Sequence, residues 1–269
     1  MVKTGGAPQF SGYNYLLKSS DPSSTCLNCH KGTTDADRSD DLDSLKVQLA
    51  TRAVKASEKY NVTCDSKVRE GSIFKEIEAE AGENNYLLVV IGTHGVHGLK
   101  QKLIGADILR IITKIPVPTL VVQPSTSFRT SFAKIVLPVA THQAYYNILQ
   151  AVVTIGKLFN SEVHIYSIER PGFEWPEQLK KNLEHTKELF DENGIRHIRI
   201  NEKQTILSVG FARQTLQYTQ KTNADMIAMM SVPSEEYHYF ADQDKENLLT
   251  NDSGIPVLCA SDLTRSEDF

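Results

Sequence analysis

The chain has 269 residues, a length that suits about two domains of ordinary size. Hydrophobic residues make up 40% of it and charged residues 23%, as in a soluble folded protein. The formal net charge of −4 gives no electrostatic reason to expect nucleic acid or an anionic membrane as a partner. No apolar run approaches the ~20 residues needed to cross a bilayer, and the chain begins without the apolar core of a secretory signal. We therefore expect a cytoplasmic protein with reduced cysteines.

A Cys-x-x-Cys-His sequence lies near the beginning of the chain, at residues 26–30. Covalent c-type haem uses this spacing, with two thioethers and one imidazole ligand to the iron. Residues 5–32 also resemble a segment of a multihaem cytochrome c. One hypothesis is therefore an electron-transfer protein that holds haem c through Cys26, Cys29 and His30. The alternatives are an exposed dithiol, half of an adventitious metal site, or a remnant of a gene fusion.

The rest of the N-terminal segment gives little sign of regular structure. Glycines and Pro8 disfavour a helix over residues 3–19, and residues 22–30 do not read as a strand. Residues 1–38 are therefore predicted to be irregular. An amphipathic helix is predicted over Asp40–Tyr60, and a strand is predicted to follow it at Val62–Arg69. In the next helical segment, Glu78 and Glu80 are expected to lie on a solvated polar face.

The most informative stretch is residues 86–107. An unbroken apolar run, Tyr86–Ile91, ends in glycines and is followed by a helical pattern. This pattern predicts a buried strand, a turn and a helix whose first N–H groups can point at a phosphate. The glycines are Gly92, Gly95 and Gly105, a spacing that matches neither the dinucleotide-binding fingerprint nor the P-loop.

This glycine spacing resembles the ATP-binding signature of the universal stress protein family, and Ile115–Val122 resembles that family's last strand. The resemblance implies an adenine-nucleotide site, with ATP and an accompanying Mg²⁺ as ligands. Its residues would be Gly92, Thr93, His94, Gly95, Gly105, Ala106 and Asp107. Ala106 stands where the family has a serine or threonine hydroxyl, and Asp107 adds a carboxylate near the phosphates. The alternative is that the glycines only permit a tight turn.

The second half of the chain reads as a complete α/β unit. Apolar strand patterns alternate with helical patterns, which favours a parallel sheet. The predicted strands are 133–140, 162–168, 196–201, 225–232 and 255–260, and the predicted helices are 143–159, 174–193 and 206–222. The family resemblance implies an open five-stranded sheet in the order 3-2-1-4-5, with helices on both faces.

The two halves repeat one pattern at a nearly constant offset. Ile115-Pro116-Val117 recurs as Ile255-Pro256-Val257 (255 − 115 = 140), and Leu87–Gly92 matches Met226–Ser231 (226 − 87 = 139). Such self-similarity predicts a tandem duplication. The predicted organisation is an irregular segment at 1–38, a partial stress-protein domain at 39–124 and a complete one at 132–263.

The first repeat lacks a recognisable first strand, first helix and second strand. Either the N-terminus is truncated, or another segment or another chain fills the gap. The two repeats should pack through their last strands, as a homodimer or an internal pseudo-dimer, because the family's dimers and tandem proteins do so.

The second repeat departs from the glycine motif. Pro233–Tyr239 contains no glycine, and Val139-Ala140-Thr141 lacks the aspartate that the family has after its first strand. This repeat is therefore predicted not to bind ATP. The main hypothesis is a cytoplasmic, ATP-binding stress-response or regulatory protein that is at most a weak ATPase. The alternatives are the haem electron-transfer protein and an interaction module that binds no nucleotide.

Overall fold

In a computed structural model, residues 14–18, 24–29, 38–69, 71–83, 86–93, 105–123, 125–126, 132–204, 211–233 and 242–265 are described, with the backbone alone for 14–18, 24–29 and 38–42. The strands are β1 Asn14–Lys18, β2 Ser24–Cys29, β3 Cys64–Arg69, β4 Tyr86–Gly92, β5 Thr119–Val122, β6 Lys134–Pro138, β7 Glu162–Glu169, β8 Arg196–Lys203, β9 Met226–Met230 and β10 Val257–Ala260. The helices are α1 Arg38–Tyr60, α2 Ile73–Glu83, α3 Gly105–Ile112, α4 Tyr146–Phe159, α5 Glu177–Glu192, α6 Phe211–Lys221 and α7 Asp242–Leu249.

Local sequence accounts for the helices of the second half. Ile148 and Val152 of α4 are fully buried along one stripe, as their helical spacing predicts. The helix α5 ends at Glu192, and Gly194 follows with a φ of 67°. A glycine adopts this left-handed conformation without steric penalty, and the helix ends within one residue of the predicted end at 193.

All ten strands form one sheet in the order β3-β2-β1-β4-β5-β10-β9-β6-β7-β8. The second half contributes β8-β7-β6-β9-β10, which confirms the order 3-2-1-4-5 predicted for it. The first half has the same order. The prediction of five strands per sheet is wrong, because β5 and β10 pair antiparallel and join the two halves into one sheet.

Matching hydrogen bonds relate the two halves at one separation along the sequence. The Val89 amide donates to the Pro118 carbonyl at 2.9 Å, and the Ile227 amide donates to the Pro256 carbonyl at 3.0 Å. Donor and acceptor are displaced by the same amount, since 227 − 89 and 256 − 118 both equal 138. The structure thus equates Pro256 with Pro118, whereas the repeated Ile-Pro-Val sequence equates it with Pro116.

The last strands of the two halves meet about a local two-fold axis. In the antiparallel ladder of β5 and β10, Leu120 lies opposite Leu258. The same separation relates these two leucines (258 − 120 = 138), so equivalent positions face each other. The predicted packing through the last strands is confirmed within the chain, and a homodimer stays a prediction.

The strands β1 and β2 occupy the positions that the sequence predicts to be empty in the first half. The strand β2 begins at Ser24 and β7 begins at Glu162, again at the separation of the two halves (162 − 24 = 138), and β2 is parallel to β3. The strand β1 lies between β2 and β4 and is antiparallel to both. Only residues 19–23 join β1 to β2, a connection too short for the crossover helix that parallel neighbours need.

The prediction of an irregular segment at 1–38 is therefore wrong for these strands, and so is the prediction that residues 22–30 form no strand. Residues 14–18 of the same chain lie in the position of the central strand. An antiparallel strand satisfies the same N–H and C=O groups along β4 as a parallel one does. The position of the central strand can therefore be filled from either direction.

Helices cover both faces of the central strands. Every residue of β9 and of β10 is buried, which is the pattern of strands between two helical layers. The helix α4 contacts β9, β10 and α5, whereas α6 contacts α7, α7 contacts α3, and α3 contacts α2. The contacts from α6 through α7 and α3 to α2 cross from one half of the molecule to the other.

A buried ion-pair network anchors α2 to β3 and β4. The Glu80 side chain is 1% exposed, and Lys67 Nζ donates to its Oε1 at 2.9 Å and to its Oε2 at 2.8 Å. The Tyr86 hydroxyl donates to Oε1 at 2.7 Å, and Arg69 forms a short ion pair with Oε2. Burial alone would raise the pKa of Glu80, but the hydrogen bonds from Lys67, Tyr86 and Arg69 outweigh it and lower that pKa. The prediction of a solvated Glu80 is wrong.

The substitution Glu80→Gln should destabilise the protein by about 2–3 kcal/mol at pH 7, since it leaves two cations near a buried amide. A carboxylate with a lowered pKa stabilises the fold above its unfolded pKa of about 4.3, and this contribution is lost as the pH falls through the folded value. The difference from wild type should therefore shrink in acid. Urea denaturation at pH 7 and at pH 3 measures both effects.

The matched control is Glu78→Gln, because Glu78 lies on the exposed face of the same helix. It should change the free energy of unfolding by less than about 0.5 kcal/mol. Equal losses for the two variants would contradict a structural role for the Glu80 network.

Candidate nucleotide site

The connection from β4 to α3 carries the residues predicted to bind phosphates. Gly92 ends β4, and the buried Thr93 that follows donates its amide to the Val122 carbonyl at 2.9 Å. His94 and Gly95 lie outside the described residues. Gly105 is the first residue of α3. The predicted succession of buried strand and helix is confirmed, and the role of these residues as ligands to a nucleotide stays a prediction.

The first turn of α3 directly follows this connection. Ala106 is exposed, and Asp107 is half-buried. The first N–H groups of a helix have no intrahelical acceptor and carry a partial positive charge, so they favour an anion. The Asp107 carboxylate opposes an anion there, and Ala106 offers no hydroxyl to it.

Gly105 has a packing role that the sequence did not reveal. A Cβ atom on Gly105 would lie 2.7 Å from Glu246 Cβ and 3.0 Å from the Glu246 carbonyl oxygen. The helices α3 and α7 therefore approach so closely that only glycine fits at this contact. The structure explains the third glycine of the motif through the contact between the two halves, whether or not a phosphate binds nearby.

In the second half, side-chain hydrogen bonds link the elements around the corresponding place. The sheet order reverses between β6 and β9, which is where open α/β sheets bind ligands. There, His142 Nε2 donates to the Val232 carbonyl at 2.8 Å. Asn182 Nδ2 donates to the carbonyl oxygens of Ala140 at 2.7 Å and of His142 at 3.0 Å. These bonds link the residues after β6 to Val232 after β9 and to α5, and the absence of an ATP site in this half stays a prediction.

The protonation of His142 follows from these contacts. The Val232 carbonyl only accepts hydrogen bonds, so Nε2 carries the proton and Nδ1 is an acceptor. Burial, aided by the charge of Lys245, lowers the pKa of His142 to about 4, so the ring is neutral at pH 7. Sequence reasoning missed both His142 and Asn182. His142 lies close behind a predicted strand, and a polar residue at that place was a usable signal. Asn182 lies in the middle of α5, where its position in the sequence gives no such signal.

The Cys-x-x-Cys-His segment is split by the limits of the described chain. The backbones of Cys26 and Cys29 lie in β2, where they pair with Ser66 and Arg69 of β3. His30 lies outside the described residues. The haem hypothesis receives no support from this placement and stays a prediction.

Two wider features of the described residues bear on cofactors and membranes. No group of three or more His, Cys, Asp or Glu side chains within the described ranges could hold a metal ion. No helix in that part of the chain is long and apolar enough to cross a membrane.

Comparison with known proteins links the chain to one family. Residues 30–123 match the model of the Universal stress protein family. No curated protein matches the chain. A universal stress protein from Archaeoglobus fulgidus DSM 4304 has a similar structure, with a TM-score of 0.61 and 15% identity over 87% of this chain and 82% of that one.

Two further solved structures are similar to a lesser degree. A protein of unknown function from Pseudomonas aeruginosa PAO1 has a TM-score of 0.49 and 16% identity over 88% of this chain and 81% of that one. A universal stress protein from Archaeoglobus fulgidus, solved in complex with dAMP, has a TM-score of 0.35 and 14% identity over 48% of this chain and 97% of that one. The family match thus covers part of the first half, and the fold of the Archaeoglobus fulgidus DSM 4304 protein extends over most of the chain.

The packing role of Gly105 is testable with a matched pair of substitutions. Gly105→Ala should destabilise the protein by about 1–3 kcal/mol, because the new Cβ has no room against α7. Gly82→Ala should stabilise it by up to about 1 kcal/mol, since a Cβ on Gly82, also in a helix, meets nothing within 4 Å. Urea denaturation at pH 7 compares the two. A Gly105→Ala variant as stable as wild type would contradict the close contact between α3 and α7.

Proposed function

We propose that the chain is a tandem universal stress protein that binds an adenine nucleotide in its first half and serves a cytoplasmic regulatory role. The observation that carries the proposal is the connection from Gly92 to Gly105, which joins a buried strand to the start of a helix. It lies within the residues that match the family model. Backbone N–H groups at such a junction are suited to phosphate oxygens.

The relation between the halves supports a duplication. The amide-to-carbonyl bonds between β4 and β5 recur between β9 and β10 at one constant separation along the sequence. The same separation relates β4 to β9, which precede α3 and α7, and β5 to β10, which follow them. The two halves therefore connect these strands with segments of equal length. Divergence after duplication then explains why only one half keeps the glycine motif.

The second half would support and regulate the first. Hydrogen bonds of His142 and Asn182 link the residues after β6 to Val232 and to α5, where the first half would hold its nucleotide. Its helix α7 packs against Gly105 at the start of α3. A nucleotide that shifts α3 would therefore also shift α7 in the second half through this contact.

We expect binding and conformational signalling rather than turnover. No nucleophile, base and orienting carboxylate were recognised together in the sequence, so any ATPase activity would be weak. Mg²⁺ would arrive with ATP and screen Asp107 from the phosphates. The alternatives of a haem protein and of an interaction module without nucleotide have no separate structural support.

The decisive experiment restores the hydroxyl that Ala106 lacks. Ala106 is exposed, so Ala106→Ser should leave the packing intact. A hydroxyl that donates to a phosphate should tighten ATP binding by about tenfold, in line with a hydrogen bond to a charged group. Isothermal titration of the full chain with ATP and Mg²⁺ measures the dissociation constant.

Ala106→Val is the control, because it adds bulk without a donor. Tighter binding by the serine variant and not by the valine variant supports phosphates next to α3. Equal effects of the two variants would place the nucleotide elsewhere. The absence of binding by all three proteins would favour the interaction module.

A further inference from the structure

A group of hydrogen-bonded side chains is buried between β7 and α6 in the second half. His164 and Tyr166 alternate along β7 and so share one face of the sheet, and the ring of Tyr218 on α6 packs against both. The three residues are 4%, 1% and 8% exposed. The helix α6 begins 138 residues after α2 (211 − 73 = 138), which makes Tyr218 the counterpart of Glu80 (218 − 80 = 138). Where the first half buries a carboxylate between cations, the second half buries a phenol.

The hydrogen bonds of His164 determine which of its ring nitrogens carries the proton. Nε2 lies 3.1 Å from Glu162 Oε1, and an ionised carboxylate only accepts hydrogen bonds, so Nε2 is protonated. Nδ1 is then the acceptor, and the Tyr218 hydroxyl donates to it at 2.7 Å. Burial lowers the pKa of His164, so the ring is neutral at pH 7 and Nδ1 can take a proton. The Tyr218 phenol is therefore bonded directly to a base.

The neighbouring Tyr166 has the same arrangement with a different base. Its hydroxyl donates to Glu202 Oε2 at 2.7 Å, and Gln214 Nε2 donates to the same oxygen at 3.3 Å. The rings of Tyr166 and Tyr218 are stacked, with 4.7 Å between their centroids and 29° between their planes. A hydrogen bond to a carboxylate makes the Tyr166 ring richer in electrons. The stacked contact therefore stabilises a Tyr218 ring that becomes poor in electrons.

This geometry suits a one-electron oxidation of Tyr218. A phenol that loses an electron becomes a strong acid, so a base at hydrogen-bond distance lets the proton leave together with the electron. Burial raises the pKa of Tyr218, which keeps the phenol protonated at pH 7 until an electron is lost. The imidazolium ion that then forms lies 3.1 Å from Glu162 Oε1, and the carboxylate stabilises its charge.

Another buried tyrosine shows that satisfying a phenol does not require a base. The hydroxyl of Tyr145, which is 2% exposed, donates to the Pro138 carbonyl at 3.0 Å. A carbonyl oxygen accepts a hydrogen bond but does not take the proton at neutral pH. The pairing of Tyr218 with an imidazole thus provides more than the burial of a hydroxyl needs.

We propose that Tyr218 is a one-electron donor whose phenolic proton passes to His164 Nδ1. A one-electron oxidant in solution, such as a peroxyl radical, takes one electron from the Tyr218 ring and is itself reduced by one electron. The O–H bond of Tyr218 breaks and an N–H bond forms at Nδ1, which leaves a neutral tyrosyl radical and an imidazolium ion beside Glu162. A reductant such as a thiol returns the electron and reverses the proton transfer. The second half thereby gains a redox activity that does not rest on nucleotide binding.

Laser flash photolysis of the full chain tests the proposal. Tris(bipyridine)ruthenium(II), quenched by pentaamminechlorocobalt(III), generates the oxidant, and the absorbance of the tyrosyl radical reports the reaction. Wild type should show a fast phase that is slower in D₂O than in H₂O, because the proton leaves with the electron. His164→Gln should slow this phase at least about tenfold, because an amide can accept from Tyr218 and donate to Glu162 but cannot take a proton. A purely structural hydrogen bond would predict no change in rate for this variant.

Tyr218→Phe covers the case in which His164→Gln fails to fold, since it keeps the ring and removes one hydroxyl. It should abolish the fast phase. The matched control is Tyr145→Phe, which removes a buried hydroxyl that donates to a carbonyl, and it should leave the fast phase at the wild-type rate. Circular dichroism shows which variants are folded. A fast phase that persists at the wild-type rate in His164→Gln or in Tyr218→Phe would overturn the proposal, and so would its absence from wild type.

Discussion

The antiparallel pairing of β5 with β10 is the constraint on which the rest of the structure depends. It places Leu120 opposite Leu258 and so turns two open sheets into one continuous sheet. Without this pairing, each half would expose a row of unpaired backbone donors and acceptors along its last strand. The pairing of β5 with β10 satisfies both rows. The local two-fold axis that results also brings α3 and α7 together, and this contact ties the candidate nucleotide connection to the other half.

The contact between α3 and α7 changes how the glycine motif is interpreted. A glycine in such a motif is usually explained by its ligand, yet Gly105 is required here by the approach of Glu246. The two explanations are compatible, because a helix whose first residue packs against a neighbour is also held in a fixed position relative to a phosphate. The contact gives a physical route by which the state of one half reaches the other.

The two halves differ in electrostatics more than in strand order. Beside the glycine connection, α3 of the first half begins with the buried Gly105, the exposed Ala106 and the half-buried Asp107. The second half buries a neutral His142, bonded to Val232, and the amine of Lys245. Burial lowers the pKa of both His142 and Lys245, and Asp242, 3.6 Å from Lys245 Nζ, opposes that shift at the lysine. One topology thus presents two chemically different edges.

The sequence by itself determined the five strands and the helices α4, α5 and α6 of the second half and the strand-to-helix connection at Gly92 and Gly105, because hydrophobic periodicity and glycine spacing are local signals. The strand order there was implied by the family resemblance. Only the tertiary structure decided that residues 14–18 run antiparallel beside β4, that Glu80 is buried in an ion-pair network, and that Lys245 is enclosed. These outcomes depend on partners far away in the chain. The direction of a strand, the burial of a charge and the contact between two helices depend on groups that are distant in the sequence. A local sequence pattern does not contain this information.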